Sequence, residues 1–297
     1  LIVVTVSEPD PASVSSSVGV QVVGNTTLAA SITGPTNGVR GQDRLFALSV
    51  TGAAATDSIK YVINWNGATQ TVIGAGPQTV DHVFTNSGNY TINVTATDLA
   101  TGQSAAAHTT IHIDAVELQS DPLYPGKTML VVGGSTGNDN IQFEAVGKSG
   151  QVRVQLNGQN VGVFAPTSRI VAYAQAGNDR IHLAENIQLS AWLFAGTGND
   201  LLEGGAGNDV LVGGSGHDTL MGGKGRDLLI GGTGNAVLDG RNGQDILVGG
   251  TTAFDHNEAA LAAIMAEWTS NDSLQTRIAD LSATGTGTNF AHRRNGN

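Results

Sequence analysis

Residues 204–230 read GGAGNDVLV GGSGHDTLM GGKGRDLLI, three successive copies of one nine-residue unit. Less regular copies continue the unit on both sides, so that the period runs from residue 195 to residue 250. A flexible glycine linker has no reason to hold apolar and acidic residues in register, and collagen needs Gly at every third residue. The period therefore predicts a solenoid in which each unit forms a tight glycine turn followed by a short strand. Leucine occupies one column of the repeat, at positions 202, 211, 220, 229, 238 and 247, and aspartate another, at positions 200, 209, 218, 227 and 245.

The two columns have different physical roles. Two units make one coil, so the leucines point into a thin core between two facing sheets, and turns on the same side lie 18 residues apart. Asp200 and Asp218 then stack on one edge of the solenoid, whereas Asp209, Asp227 and Asp245 stack on the other. Carboxylates at strand spacing, about 4.8 Å, repel each other unless a cation lies between them. Calcium suits such a site because it takes carboxylate and backbone carbonyl oxygens together.

The repeats resemble the calcium-binding nonapeptide repeats of the RTX (haemolysin-type) family. In that family each ion lies between the turns of adjacent coils and takes carbonyl oxygens and an aspartate from both. The resemblance implies sites between the aspartate pairs 200/218, 209/227 and 227/245, whereas Ala236 weakens or removes a site next to Asp218. The turn residues implied as further ligands are Gly196, Gly198, Gly204, Gly205, Ala206, Gly207, Gly213, Gly214, Ser215, Gly216, Gly222, Gly223, Lys224, Gly225, Gly231, Gly232, Gly234, Gly240, Asn242 and Gly243.

Two isolated echoes of the repeat lie upstream, at residues 133–139 and 176–181. Strand-like alternation between them predicts irregular coils of the same solenoid over residues 116–194. Asp139 and Asp179 are therefore candidate calcium ligands. The alternative at both positions is an aspartate in a tight turn that needs no metal.

Residues 28–115 follow a different pattern, in which alternating strands are separated by turn clusters at roughly ten-residue spacing. This pattern is typical of an all-β sandwich. Residues 81–84 and 87–98 resemble the late strands of a PKD domain, although residues 63–67 lack the fuller acidic motif of that family. A generic immunoglobulin-like sandwich is the alternative. Residues 1–27 are predicted to end a preceding domain and to form a linker.

Residues 251–284 change to a helical period, and Asp255 followed by Glu258 forms a capping-box pattern. We expect these helices to close the open end of the solenoid rather than to dock a partner, and residues 285–297 to form a flexible tail. The helical stretch resembles segments that follow such repeats in large planctomycete surface proteins. The apolar faces expected to pack are Leu261, Ile264, Met265 and Trp268 in the first helix and Leu274, Ile278 and Leu281 in the second.

Composition excludes several function classes. The 297 residues include no Cys, which excludes a disulfide scaffold and a cysteine nucleophile. A net charge of −11 argues against nucleic-acid binding, and no apolar run approaches the roughly 18 residues of a membrane span. Residues 133–137 fit the G-x-S-x-G nucleophile pattern, but an Asn-Asp turn follows them where that motif needs a helix. We therefore predict that the chain is not an enzyme.

The predicted fold is all-β: an immunoglobulin-like β-sandwich, then a parallel β-roll or β-solenoid with a short C-terminal helical cap. The predicted function is a calcium-binding structural or adhesive module of a secreted or cell-surface bacterial protein, which folds on calcium binding. Its expected partners are calcium ions, with other surface proteins or glycans as further candidates. The alternative is an export and stability module of a secreted enzyme whose catalytic domain lies outside this sequence.

Overall fold

The computed structural model describes residues 27–147 and 150–282. The predicted tail lies outside these residues, as does the predicted linker up to residue 26. The regular structure of the described residues is mainly β, with two short helices near the C-terminus, which confirms the predicted fold class. No helix in the described part of the chain is long and apolar enough to cross a bilayer.

The first part of the chain is a two-sheet sandwich with strand orders β1-β3-β6 and β2-β8-β7-β4-β5. Its strands form because apolar residues alternate with polar ones; in β7, for example, Ile92, Val94 and Ala96 point inward between exposed neighbours. Trp65 lies in the core and stacks on His82 with ring centroids 4.3 Å apart. The strands are β1 (Ala29–Thr33), β2 (Asn37–Val39), β3 (Asp43–Thr51), β4 (Ser58–Asn64), β5 (Thr69–Ala75), β6 (Gln78–Val83), β7 (Gly88–Asp98) and β8 (Ser104–Asp114).

The second part is a solenoid built from two facing sheets. One sheet, here the helix-side sheet, has the order β23-β20-β18-β16-β14-β10-β9, and the opposite sheet has the order β13-β12-β11-β15-β17-β19-β22. The strands are β9 (Val116–Ser120), β10 (Thr128–Gly133), β11 (Asn140–Val146), β12 (Gln151–Leu156), β13 (Gln159–Phe164), β14 (Arg169–Tyr173), β15 (Arg180–Leu183), β16 (Ser190–Gly198), β17 (Leu201–Glu203), β18 (Val210–Gly216), β19 (Thr219–Gly225), β20 (Leu228–Ile230), β21 (Thr233–Gly234), β22 (Val237–Gly243) and β23 (Ile246–Val248).

The leucine column forms the core between these sheets. Leu211 pairs with Leu229 in parallel register, and Leu229 pairs with Leu247, so the regular coils advance by 18 residues. The earlier coils are longer, because Leu130 pairs with Ile170 and Ile170 with Ala191. The hairpin β12–β13 accounts for the additional length of the first coil.

The C-terminal helices α1 (Glu258–Trp268) and α2 (Leu274–Ser282) are present, but they do not close the end of the solenoid. Helix α1 packs instead on the outer surface of the helix-side sheet, where Leu261 and Met265 meet Trp192 and Val212. The reason lies in the strands themselves, since β18 and β20 carry apolar side chains on both faces. Leu247, in the last coil, remains 51% exposed.

Two details of the helices differ from expectation. Asn257, not Asp255, caps α1, because its side chain accepts a hydrogen bond from the Ala260 N–H. In α2 the buried side chain is Arg277, whereas Leu274 and Ile278 are exposed, so the prediction is wrong for these two residues. Leu281, the third residue of the predicted face, does pack against the apolar cluster of the helix-side sheet.

Direct contacts join the sandwich to the first coils. Arg40 Nε donates to the Gly133 carbonyl at 2.8 Å, and the amides of Gln42 and Gln119 exchange hydrogen bonds of 3.0 and 3.1 Å. Gln175 Nε2 reaches the Thr85 carbonyl of the sandwich at 3.2 Å. The sandwich is therefore held against the end of the solenoid where the irregular turns lie.

Candidate metal centre

The glycine turns stack along two edges of the solenoid. On each edge a turn connects the two sheets and lies directly over the corresponding turn of the next coil; Gly196 pairs with Gly214, for example, and Gly223 with Arg241. The first edge carries the turns 133–139, 174–179, 195–200, 213–218 and 231–236, and the second edge carries the turns 204–209, 222–227 and 240–245.

Glycine is required where the stacked backbones touch. Gly198 has φ +146°, and a Cβ built there would overlap the carbonyl oxygen of Gly177 in the preceding turn. Gly216 meets the carbonyl oxygen of Gly198 in the same way at φ +128°. The glycines thus bring backbone carbonyls of successive turns close together, which is the condition for a shared ion site.

On the first edge, one oxygen of each aspartate is held by the turn before it. Asp179 Oδ1 accepts a hydrogen bond from the Asp139 N–H at 2.7 Å, and Asp200 Oδ1 accepts from the Asp179 N–H at 2.7 Å. Asp218 Oδ1 accepts from the Asp200 N–H at 3.0 Å. These bonds fix each carboxylate in the gap between two turns.

The second edge repeats this arrangement. Asp209 Oδ1 accepts from the Ala191 N–H at 2.7 Å, and its Oδ2 accepts from the Gly205 N–H at 2.9 Å. Asp227 Oδ1 then accepts from the Asp209 N–H at 2.8 Å, and Asp245 Oδ1 from the Asp227 N–H at 3.0 Å. The aspartates of each edge therefore form a continuous column, as the nine-residue period predicts.

The second carboxylate oxygen of four aspartates has no partner in the protein. The Oδ2 atoms of Asp179, Asp200, Asp218 and Asp227 are all buried without a hydrogen bond. A buried polar atom without a partner costs about 1–3 kcal/mol, and more when it is charged. Three of these oxygens lie on the first edge and one, Asp227 Oδ2, lies on the second, and each is a free acceptor that a cation could use.

Burial also raises the pKa values of these carboxyl groups. The pKa of Asp227 rises to about 8, mainly because of burial and secondarily because of the nearby Asp209 carboxylate. Burial likewise raises the pKa of Asp179 and Asp209 to about 7 and that of Asp200 to about 6. The pKa values of Asp218 and Asp245 are raised as well, with burial again the largest cause. A bound divalent cation would remove this penalty by stabilising the ionised form.

Asp139 differs from the rest of its column. Its Oδ2 accepts hydrogen bonds from the Ser135 N–H and hydroxyl at 2.5 and 2.9 Å, and its Oδ1 accepts from Asn157 Nδ2 at 2.6 Å. Both oxygens are therefore satisfied by the protein. The same contacts show that the Ser135 hydroxyl is engaged with Asp139, as expected for a turn residue and not for a nucleophile.

The role of the asparagines that occur on both edges was missed from the sequence alone. Each lies directly before an aspartate, and its side-chain oxygen accepts the backbone N–H of the equivalent residue one coil later. Asn199 Oδ1 accepts from the His217 N–H at 2.9 Å, and Asn208 Oδ1 from the Arg226 N–H at 2.8 Å. The repeated Gly-Asn-Asp triplet is the signal that could have revealed this role, which is to align successive turns.

Side chains alone do not complete a site. Within residues 27–147 and 150–282, no three His, Cys, Asp or Glu side chains converge in a way that could hold a metal ion. Any ion in the turns must therefore take backbone carbonyl oxygens as well as carboxylates, and calcium is the cation that accepts this mixture at high coordination number.

The solved structures to which this chain is similar include three single domains, each matched with a low TM-score. The PKD domain of an M14-like peptidase from a Thermoplasmatales archaeon is 22% identical with a TM-score of 0.27, over 30% of this chain and 97% of that one. The CARDB domain of a Pyrococcus furiosus protein is 18% identical with a TM-score of 0.24, over 31% and 97%. The PKD domain of the human receptor SorCS2 is 19% identical with a TM-score of 0.25, over 36% and 89%.

A protein-family model matches the sequence of the regular part of the solenoid. No curated protein matches the chain. The family described as RTX calcium-binding nonapeptide repeat (4 copies) matches residues 191–220 and again residues 221–251, which contain the regular turns of both edges. The segment 191–251 thus consists of RTX nonapeptide repeats, which are calcium-binding repeats.

Proposed function

We propose that this chain is a calcium-binding structural or adhesive module of a secreted or cell-surface bacterial protein, and that its solenoid folds when calcium binds. The observation that carries the proposal is the set of four buried Oδ2 atoms without partners, arranged in two columns along the repeat segment. Bound calcium supplies the positive charge that these carboxylates lack. Extracellular calcium modules work at roughly millimolar concentration, which suits a module of this kind outside the cell.

The chain's own residues prepare each gap before an ion arrives. The backbone N–H groups of one turn hold Oδ1 of the next aspartate, so Oδ2 is left facing the gap. The glycines keep the turns close enough for carbonyl oxygens to approach the same space. Since the carboxylates are buried, their mutual repulsion is poorly screened by water until the charge is neutralised.

The columns indicate four calcium ions. On the first edge the suitable gaps lie between Asp179 and Asp200 and between Asp200 and Asp218. The column stops at Asp139, because side-chain donors of Ser135 and Asn157 engage both of its oxygens, and at Ala236, which has no carboxylate. Asp209 on the second edge differs from Asp139, since only backbone N–H groups bind its oxygens. On the second edge the gaps lie between aspartates 209 and 227 and between aspartates 227 and 245.

Counting bound ions tests this proposal. Equilibrium dialysis followed by elemental analysis should give about four calcium ions per chain. Asp179→Asn should lose one ion because its Oδ2 has no other partner, whereas Asp139→Asn should lose none because Ser135 and Asn157 already occupy its oxygens. Absence of bound calcium in the unaltered chain would refute the function, and equal ion counts in the two variants would refute the assignment of Asp179.

The raised pKa values predict opposite pH responses with and without calcium. In the calcium-free protein the folded state holds protons more tightly than the unfolded state, so its stability should fall as the pH rises from about 4 to about 8. With saturating calcium, protons compete with the ions, so stability should rise over the same range. Thermal unfolding followed by circular dichroism at several pH values measures both slopes; parallel slopes would contradict the prediction.

The alternative function is an export and stability module of a secreted enzyme, and the solenoid of such a module would show the same calcium responses. The two roles are separated by the sequence that flanks this segment in the full-length protein. Further sandwiches and repeats favour an adhesive or structural protein, whereas a hydrolase domain favours the alternative.

A further inference from the structure

The geometry points to a functional difference between the two edges. Calcium on the second edge holds helices α1 and α2 on the solenoid, whereas calcium on the first edge does not. The inference rests on the proposed function, because it assumes that ions fill the gaps. It goes further by linking one gap, between turns 222–227 and 240–245, to a separate structural element.

The turn 222–227 contacts the end of α1 through Arg226. This residue lies directly before Asp227, at the position that asparagine occupies in turn 204–209. Its Nη1 donates to the carbonyl oxygens of Trp268 and Ser270 at 3.3 and 2.8 Å. A cation at the C-terminus of a helix interacts favourably with the exposed carbonyls and the helix dipole.

The next turn of the same edge contacts the helices through Gln244, which lies directly before Asp245. Its carbonyl oxygen accepts from Trp268 Nε1 at 2.7 Å, and its Oε1 accepts from Arg277 Nη2 at 2.6 Å. Arg277 also donates to the Trp268 carbonyl at 2.6 Å and lies 4.8 Å above the Trp268 ring. Two consecutive turns of the second edge thus contact the junction between α1 and α2.

The other end of α1 is anchored without any ion. Glu258 accepts hydrogen bonds from Arg169 Nη2 at 2.9 Å and from the Tyr173 hydroxyl at 2.6 Å. Arg169 is itself paired with Asp121 at 2.9 Å. The N-terminal end of α1 therefore depends on protein groups, and only its C-terminal end depends on the ion-binding turns.

On the first edge the corresponding contact is at the other end of α1, where Tyr173, directly before turn 174–179, binds Glu258. His217 takes the place on this edge that Arg226 takes on the second, but its side chain is exposed. Its backbone N–H is bound to Asn199 within the same edge. Loss of an ion on this edge should therefore leave the helices in place.

Linkage makes the coupling reciprocal. An ion that orders turns 222–227 and 240–245 fixes Arg226 and Gln244 in the positions that the helices need. Docked helices must then raise the calcium affinity of this gap by the same factor by which calcium favours docking.

A matched pair of variants tests the inference in the full chain at saturating calcium. Asp245→Asn and Asp218→Asn each remove one carboxylate that belongs to a single gap, on the second and first edges respectively. Hydrogen exchange should become at least about fivefold faster in residues 261–268 of Asp245→Asn and remain unchanged in Asp218→Asn. Both variants should lose one ion by elemental analysis. If neither loses an ion, the proposed function fails; if both do and the helices exchange alike, only this inference fails.

The reverse direction uses a substitution far from the turns. Leu261 is a fully buried residue of α1 and lies about 10 Å along the helix from Trp268. Leu261→Ala should loosen the helices and weaken one of the four calcium sites by about fivefold or more, leaving the others unchanged. Unchanged affinity at all sites, with faster helix exchange, would overturn the coupling.

Discussion

Removal of calcium at neutral pH should unfold the regular coils of the solenoid and leave the sandwich folded. The solenoid buries four aspartates whose Oδ2 atoms have no protein partner. The nearby cations of turn 222–227 are engaged elsewhere, since Lys224 pairs with Glu185 and Arg226 binds helix carbonyls. The sandwich has an apolar core of its own, around Phe46, Tyr61 and Trp65. Binding free energy that is absent from the unfolded chain acts as folding free energy, so the effect should be large.

Hydrogen exchange with and without a chelator measures this difference along the chain. Strands such as β18 and β20 should lose protection when calcium is removed, while β7 in the sandwich should keep it. Magnesium at the same concentration is the control, because it demands a small octahedral site and should not restore protection. Equal β content by circular dichroism in both conditions would contradict calcium-driven folding.

Asp227→Ala should remove two calcium ions, more than any other single substitution on the second edge. Asp227 belongs to both gaps of this edge, since it accepts from the Asp209 N–H and its own N–H donates to Asp245. Alanine would also leave the buried Asp209 N–H without its partner, which costs about 1–3 kcal/mol beyond the lost ions. Ala236 shows that the repeat tolerates alanine at this position, where the column of the first edge ends.

Calorimetric titration gives the number of ions for this variant. Asp239→Ala is the matched control because it removes the same charge from an exposed aspartate of the last coil that lies outside the turns. The control should bind all four ions, whereas Asp227→Ala should bind two. Retention of three or four ions by Asp227→Ala would show that this carboxylate is not shared between gaps.

The regular part of the fold could be predicted because its contacts repeat at a fixed spacing. The leucine and aspartate columns follow from the 18-residue coil alone, which is why the core and the two edges could be placed without a structure. The state of Asp139 could not be predicted in this way. The Asn157 amide distinguishes Asp139 from Asp179. Asn157 follows strand β12 of an inserted hairpin, and no local sequence pattern predicts its contact with Asp139.

The packing of the helices on the helix-side sheet could have been predicted from the strands of that sheet. Strands of the helix-side sheet carry apolar triplets, as in Val210–Val212 and Leu228–Ile230, whereas those of the opposite sheet include polar residues, as in Leu201–Glu203. A strand that is apolar on both faces must be covered on both. Arg277 could not have been predicted as the buried residue of α2, because its burial depends on Trp268 and Gln244, which only the folded chain brings to it.

The self-sufficient turn around Asp139 gives the solenoid a direction of growth. Ser135 and Asn157 satisfy the Asp139 carboxylate, so this turn needs no ion there, and Gly133 holds it against the sandwich. A repeat array with one preformed end has a nucleus, and each further coil then needs only propagation onto its neighbour. Folding of the solenoid should therefore start beside the sandwich and advance coil by coil toward the C-terminus.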